Sequence, residues 1–400
     1  PWLSFGPDGT LHHMSLVLDP DPPGGGFGDN AMVYNRSTDG GLTWDPAVVL
    51  QADDDPRLLN DKNSMTADPN DADVVYAVWD RLRTASGEIA SSERGRENIF
   101  GLGFKGPILF TRTTDGGDTW EPARELYDPA ANNQTIGSQI VVQPDGTVIN
   151  FFNEILNFRN SNHGPQFDFT LALLRSDDQG ASFGRIIRAQ KMFPMSFFRE
   201  DSVIDTEPVT CPDPTDQGAC PIRTGDILFD VAVDRANGTL YAVWQDARFG
   251  GVTHDDIALS RSTDGGTTWS SPIKVNRTPA TEPANDQQAF TPSVHVTDDG
   301  TVVVTHYDFR NNTPDDGVLG TDHWAVHCHA TAEDCSSAAS WDEETRITPT
   351  SFDMRQAPFA GGYFVGDYEG LTSDGTDVLA YFSASHAGDP SSAFFSRLTP

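Results

Sequence analysis

The sequence predicts an all-β fold assembled by repeating one hairpin unit, and two observations carry that prediction. The first is a recurring nonapeptide. Arg36–Trp44 reads R-S-T-D-G-G-L-T-W, Arg112–Trp120 reads R-T-T-D-G-G-D-T-W, and Arg261–Trp269 reads R-S-T-D-G-G-T-T-W. A weaker copy, R-S-D-D-Q-G-A-S-F, spans Arg175–Phe183. Repetition of this kind marks one supersecondary unit used several times. The second observation is what flanks each copy. Strand-like runs precede them at Ala31–Tyr34, Pro107–Thr111, Phe169–Leu174 and Asp256–Leu259. Short apolar or β-branched runs follow at Val48–Leu50, Arg124–Tyr127, Ile186–Ile187 and Ile273–Val275. The nonapeptide is therefore a turn between two antiparallel strands.

The residue types suit that role. Asp39, Asp115, Asp178 and Asp264 can accept backbone N–H bonds inside the turn. Gly41, Gly117, Gly180 and Gly266 supply the positive φ that closes it. The aromatic residue at the end folds back as a plug between neighbouring sheets. The motif reads as structural, and no catalysis is assigned to it. It resembles the Asp-box, or BNR repeat (S/T-x-D-x-G-x-x-W/F), of the sialidase-like β-propellers. That resemblance implies a six-bladed β-propeller of four-stranded antiparallel blades with Asp-box turns, closed as a single domain over residues 1–400. It fixes architecture more tightly than activity.

Composition narrows the class of function. The chain has 400 residues and a formal net charge of -33, with 26 Lys and Arg against 59 Asp and Glu. Such an acidic surface disfavours nucleic acid and anionic membranes as partners. It fits a strongly solvated surface, and some of its carboxylates could hold a structural Ca2+. The 36 glycines and 27 prolines suit many short strands joined by turns. The cysteines fall into two local pairs, Cys211/Cys220 and Cys328/Cys335, neither with CxxC metal spacing. Local disulfides formed in an oxidising compartment are the better reading. No apolar run is long enough for a membrane span, and the chain opens on Pro1. A trimmed, secreted protein is expected, of undetermined oligomeric state.

Six units can be read along the chain. Blade one takes Trp2–Phe5, a turn at Asp8-Gly9, and Leu11–Leu18 before its nonapeptide. Blade two opens at Asn60-Asp61-Lys62-Asn63-Ser64 and returns through Val74–Trp79. Blade three opens at Gly137-Ser138-Gln139 and returns through Val148–Phe152 to Glu154. Blade four opens at Asp226 and returns through Leu240–Trp244. Blade five opens near Gln287-Gln288, returns through Val302–His306, and keeps Trp341 as plug of a degenerate turn. Blade six opens at Gly366-Asp367-Tyr368-Glu369 and returns through Val378–Phe382. It lacks a nonapeptide, so either the N-terminal segment completes it or it is short. Long insertions lie at Arg81–Phe104 and Lys191–Pro221.

Up-and-down blades put the nonapeptide turns on one face. The opposite face carries the starts of the inner strands, the ends of the second strands and the long insertions, and function is expected there. The first set contributes Asp61, Lys62, Gln139, Asp226, Gln288, Asp367 and Tyr368. The second contributes Asp80, Arg81, Glu154, Asp246, Arg248, Asp308, Arg310 and His386. Converging carboxylates suit glycosidic chemistry, in which one carboxyl protonates the leaving oxygen and a second group attacks or activates water. Arginines suit an acidic sugar. Tyr368, Asp367, Asp226, Glu154 and Asp61 are accordingly the candidate catalytic residues. Lys62, Arg81, Arg248, Arg310, Asp246 and Gln288 are the candidate substrate-binding residues. A structural alternative stands beside this. Trp79-Asp80-Arg81, Trp244-Gln245-Asp246-Ala247-Arg248 and Tyr307-Asp308-Phe309-Arg310 recur from blade to blade, as Asp–Arg pairs tying blades together would. His254, His323 and His386 are weaker candidates for ligands or bases.

Resemblance to the sialidases implies a tyrosine nucleophile with a glutamate partner, an aspartate acid/base, and three arginines on the substrate carboxylate. Tyr368 matches the tyrosine, and Arg248 and Arg310 match the second and third arginines. Asp226 falls where the glutamate belongs, and Asp29 could stand in for the acid/base. The first arginine's R-I-P motif is absent, since the chain reads Pro1-Trp2-Leu3-Ser4-Phe5 there. The expectation is a secreted glycoside hydrolase acting on a glycan with, for example, an acidic sugar, and requiring no cofactor. Two other classes stand against it. A polysaccharide lyase would use Tyr368 or a histidine as base and Lys62 or an arginine on the uronate. A non-catalytic glycan- or protein-binding propeller would use neither.

Overall fold

The computed structural model describes residues 1–19, 28–84, 104–160, 164–195, 207–209, 220–313, 318–360 and 362–400. It is an all-β, six-bladed propeller fold whose contacts divide into two compact units, Pro1–Lys191 and Met192–Pro400, each holding three blades.

In the first unit, blade one is β1 (Trp2–Phe5), β2 (Leu11–Leu18), β3 (Asn30–Ser37) and β4 (Val48–Asp53). Blade two is β5 (Leu58–Ala67), β6 (Val75–Thr84), β8 and β9, with the short β7 (Phe104–Lys105) pairing β6. Here β8 is Ile108–Thr113 and β9 is Arg124–Tyr127. Blade three is β10 (Gln134–Val142), β11 (Val148–Asn160), β12 (Gly164–Ser176) and β13 (Ile187–Met192).

In the second unit, β14 (Glu207–Val209) and β15 (Cys220–Ile222) form a separate two-stranded sheet. Blade four is β16 (Phe229–Val233), β17 (Leu240–Asp246), β18 (Asp256–Ser262) and β19 (Ile273–Lys274). Blade five is β20 (Ala289–Val296), β21 (Thr301–Asp308), β22 (Gly320–His329) and β23 (Glu343–Arg346), with β24 (Phe352–Asp353) pairing β22. Blade six has three strands, β25 (Gly370–Asp374), β26 (Asp377–His386) and β27 (Asp389–Leu398). The four-stranded antiparallel architecture is met, with three strands of blade six seen among the described residues. Strand β1 pairs β2 as an edge strand of blade one.

Burial follows strand position. Every residue of β17 and β21 is buried, whereas the outermost β4 is largely exposed. A strand covered on both faces reads as a continuous apolar run, as Leu240–Trp244 does. The core lies between adjacent sheets. Val78, Phe110, Phe152 and Leu174 share one cluster between blades two and three, and Tyr241, Leu259, Val302 and Trp341 share another between blades four and five. Trp341 is fully buried, as a plug must be.

The nonapeptides turn as their residues require. The Asp39 carboxylate accepts the Thr43 N–H (2.9 Å) and hydroxyl (2.6 Å), and Asp115, Asp178 and Asp264 repeat this with Thr119, Ser182 and Thr268. Gly117 shows why glycine closes the turn: its φ is 96°, and a Cβ there would lie 2.1 Å from Tyr34 Oη of blade one. Two of the turn aromatics pack edge-on against the preceding blade, Trp120 on Tyr34 (centroids 4.9 Å apart) and Phe183 on Phe110 (5.4 Å), while Trp44 packs on His13 of its own blade. The leading arginine reaches the other way. Arg36 donates to Gly116 O (2.8 Å) and Arg112 to Asp178 O (3.3 Å), each in the next blade's turn. Arg261 likewise pairs with Asp334 (3.0 Å) of blade five.

Candidate active site

The strand register assembles the candidate residues at one end of each blade. Asp61 faces Asp80, Thr135 faces Glu154, and Ala289 faces Asp308. Just inside this end, the inner strands of blades two, three and five slip register. The extra residue takes a left-handed backbone: Lys62 (φ 52°), Gly137 (φ 72°) and Thr291 (φ 48°). Such bulges re-aim neighbouring side chains, and for Lys62 and Thr291 the conformation is strained. The preceding blade tethers two of them. Asp80 accepts the Gly137 N–H (2.7 Å), and Gln245 Oε1 accepts the Thr291 N–H (3.0 Å).

In the first unit, the Lys62 N–H donates to Asp61 (2.8 Å), and Arg81 is ion-paired with Asp53. Asp80 is buried and also accepts from the Thr135 hydroxyl (3.1 Å). Burial pushes its carboxyl up to about 7 despite those hydrogen bonds, with the Asp61 charge adding to the rise. Glu154 is buried and holds both Arg188 (2.6 and 2.8 Å) and the Tyr127 hydroxyl (2.5 Å). Its carboxylate is thus committed to a neighbouring cation.

In the second unit, Arg248 forks onto Asp246 (2.7 Å twice) and stacks on Phe193. Asp246 is fully buried and also accepts from Trp244 Nε1 (2.7 Å). Arg310 is held by Asp308 (2.5 Å) and Glu344 and lies 3.9 Å from the Trp324 ring centroid. Burial raises the Asp308 carboxyl to about 6, offset in part by Arg310. In blades four and five the recurrent Asp–Arg endings are therefore internal ion pairs, whereas in blade two Arg81 pairs with Asp53 of blade one and Asp80 accepts from Thr135 and Gly137 of blade three. Gln288 is buried against Asp255, accepting its N–H (2.8 Å) and donating to its carboxylate (3.1 Å).

The arrangement around Tyr368 is of another kind. Asp367 lies 3.6 Å from Arg223, whose guanidinium stacks on Phe364 at 4.2 Å. Gly225, just before the buried Asp226, passes so close that a Cβ would sit 3.2 Å from Asp367 Oδ1. On the other side, the Glu369 carboxylate lies 2.6 Å from His323 Nε2, and both side chains are almost fully buried. Tyr307 stacks on His323 and donates its hydroxyl to Ser383 O (2.6 Å). Burial, with Glu369 beside it, drives the Tyr307 hydroxyl well above its ordinary pKa. Tyr368 is thus carried on a short segment flanked by the Asp367–Arg223 pair and the Glu369–His323 contact, between blade four's inner-strand start and blade five's third strand.

Arg223, His323 and Glu369 are what sequence reasoning missed or underweighted. Arg223 stands just after a long insertion, where no repeat aligns it. A signal existed, since Gly-Asp occurs at the inner-strand start of both blade four (Gly225-Asp226) and blade six (Gly366-Asp367), each glycine with positive φ. Among the described residues, the one group of three able to hold a metal ion is His327, His329 and Glu343. Cys211 lies outside the described residues, whereas Cys328 and Cys335 form a disulfide. No helix among the described residues is long and apolar enough to cross a membrane.

Fold and site together define a β-propeller with a polar tyrosine segment flanked by Arg223 and His323. No protein-family model matches the sequence, and no curated protein matches it. Solved structures do. A Hadza microbial sialidase shares the fold at a TM-score of 0.54 and 15% identity, with all of this chain and 65% of that one covered. This chain thus spans about two thirds of that protein's length. The intramolecular trans-sialidase from Ruminococcus gnavus, solved with oseltamivir carboxylate, has a TM-score of 0.53 and 12% identity over 99% of this chain and 93% of its own. A protein of unknown function from Dyadobacter fermentans has a TM-score of 0.50 and 16% identity over 99% and 92%. At these identities the likeness shows the fold.

Proposed function

We propose that this protein is a secreted glycoside hydrolase whose reactive centre is the Gly366–Gly370 segment, with Tyr368 as nucleophile. The observation that carries the reading is the double anchoring of that segment, Asp367 to Arg223 and Glu369 to His323. A nucleophile must be held in a near-attack position, and an ion pair on one side and a close, buried carboxylate–imidazole contact on the other supply that restraint. Sharing a fold with sialidases supports the class of substrate. The disulfide Cys328–Cys335 supports export, and the fourfold nonapeptide supports kinship with Asp-box propellers.

In this reading the Tyr368 oxygen attacks the anomeric carbon as its proton passes to a carboxylate, Asp226 or Asp367. A carboxylic acid protonates the leaving oxygen, and water then cleaves the glycosyl–tyrosine bond. Arg248 and Arg310 are held by close contacts within their own blades, whereas Arg223 pairs more loosely with Asp367 of the reactive segment at 3.6 Å, so Arg223 is the arginine we assign to an acidic sugar.

The test is a panel of acidic and neutral glycans assayed for free sialic acid, new reducing ends and ultraviolet absorbance. Sialic acid or reducing ends released by wild type and lost in Tyr368→Phe support the hydrolase. A product absorbing in the ultraviolet points to a lyase instead, and no product from any glycan points to a binding propeller.

A further inference from the structure

We propose that blade five carries a transition-metal site, made by His327 and His329 of β22 and Glu343 of β23, that takes a zinc-like divalent cation. One ligand atom from each residue lies within 4.8 Å of the other two. The placement follows from strand geometry. His327 and His329 are two residues apart on one strand and so share a face. Glu343 is the residue directly across the ladder from His327, where side chains of an antiparallel pair meet. His327 Nε2 and Glu343 Oε2 stand 3.1 Å apart. Ligands at zinc's usual nitrogen and oxygen distances sit roughly 3.3 Å from each other around a tetrahedron, so this edge is already set.

A second observation points to a ligand. The His327 side chain is only 9% exposed, yet its Nε2, although 3.1 Å from Glu343 Oε2, makes no aligned hydrogen bond and is aimed at the cluster. A buried imidazole nitrogen left in that state is costly unless something completes it. His329 is oriented as metal-bound histidines are: its Nδ1 is engaged by the Thr301 hydroxyl (3.0 Å), leaving Nε2 for an ion. Cys328, between the two histidines, points to the opposite, buried face and is tied to Cys335. The ion and the disulfide would grip the same strand end from two sides, at the start of the long connection to β23. Two imidazoles and one carboxylate suit zinc, cobalt, nickel or copper, and not the all-oxygen preference of calcium or magnesium.

The experiment uses the full chain stripped with a chelator and titrated with Zn2+ against a chromophoric competitor, alongside Co2+ absorption spectra. We expect one equivalent bound in wild type and affinity lost by at least about 100-fold in His329→Asn and His327→Asn. Glu343→Gln should lose at least about 10-fold. His386→Asn, outside the cluster, should bind as wild type does. Since His327 is buried and its variant could misfold, His329→Asn and the exposed Glu343→Gln carry the test, with folding checked by circular dichroism. Zinc should also raise the melting temperature of wild type and not of these two variants. Absence of binding tighter than about 100 μM would overturn the proposal. So would binding that survives both His329→Asn and Glu343→Gln, because the ion would then sit elsewhere.

Discussion

Single residues account for much of what locks the blades, and two of them give direct tests. Gly117 combines a left-handed backbone with contact against Tyr34 Oη. Gly117→Ala should destabilise by about 2 kcal/mol or more through backbone strain and the forced shift of Tyr34, seen as a lower urea midpoint. Gly146, with open space around it, should tolerate alanine better although its φ is also positive. His12 gives a pH test. It is fully buried, its Nδ1 is 2.9 Å from the Tyr34 hydroxyl, and burial lowers its pKa to about 4. The unfolded chain, with an ordinary histidine near 6.5, binds the proton more readily. His12's contribution is therefore fully present above pH 6.5 and is lost as pH falls towards 4. The window should account for about 3 kcal/mol, and His12→Gln should flatten that part of the stability-versus-pH curve measured by urea unfolding.

At the scale of elements, the nonapeptide is both a turn and a clasp. Its aspartate and glycine shape the hairpin, its aromatic in blades two and three packs on the blade before, and its arginine bonds to the turn of the blade after. Arg112 illustrates the last role with bonds to Asp178 O and Gln179 O and a pair with Glu121 (2.9 Å). Replacing Arg112 by Met keeps most of the buried stem and removes the donors. It should cost about 1–2 kcal/mol, more than an exposed ion pair would, because backbone carbonyls of the next turn lose their partner. Hydrogen exchange should rise in the 175–183 turn. This clasp was not legible in the sequence. A repeated arginine says that it is structural, but its partner lies a blade away and at no fixed spacing. The turn itself was legible, because every contact that makes it is local: Asp39 to Thr43 is four residues. The strands were legible for the same reason, with Arg124–Tyr127 matching to the residue and β11 and β12 running longer than their apolar cores.

At the scale of the molecule, three blades per unit repeat one logic, and departures from the repeat mark the candidate site. Asp246 with Arg248 and Asp308 with Arg310 follow the repeat, and each pair is closed on itself. Gly366–Gly370 departs from it, and its flanking acids reach Arg223 and His323. The sequence singled out Tyr368 because that segment occurs once. It could not supply Arg223 or the role of His323, since both meet their partners only after distant blades come together. The six-blade count was readable from repeated turns, and the lack of a nonapeptide in blade six left a short blade as one of two alternatives, the one that its three described strands match.

The measurement that tests the central claim most directly is kcat/KM of Tyr368→Phe against wild type on the best glycan of the panel, with melting temperatures compared. The account predicts a loss of roughly 10³-fold or more with the melting temperature unchanged, because only the nucleophilic oxygen is removed. Activity within about twofold of wild type in a folded variant would contradict it, and the reactive group would have to be sought outside the Gly366–Gly370 segment.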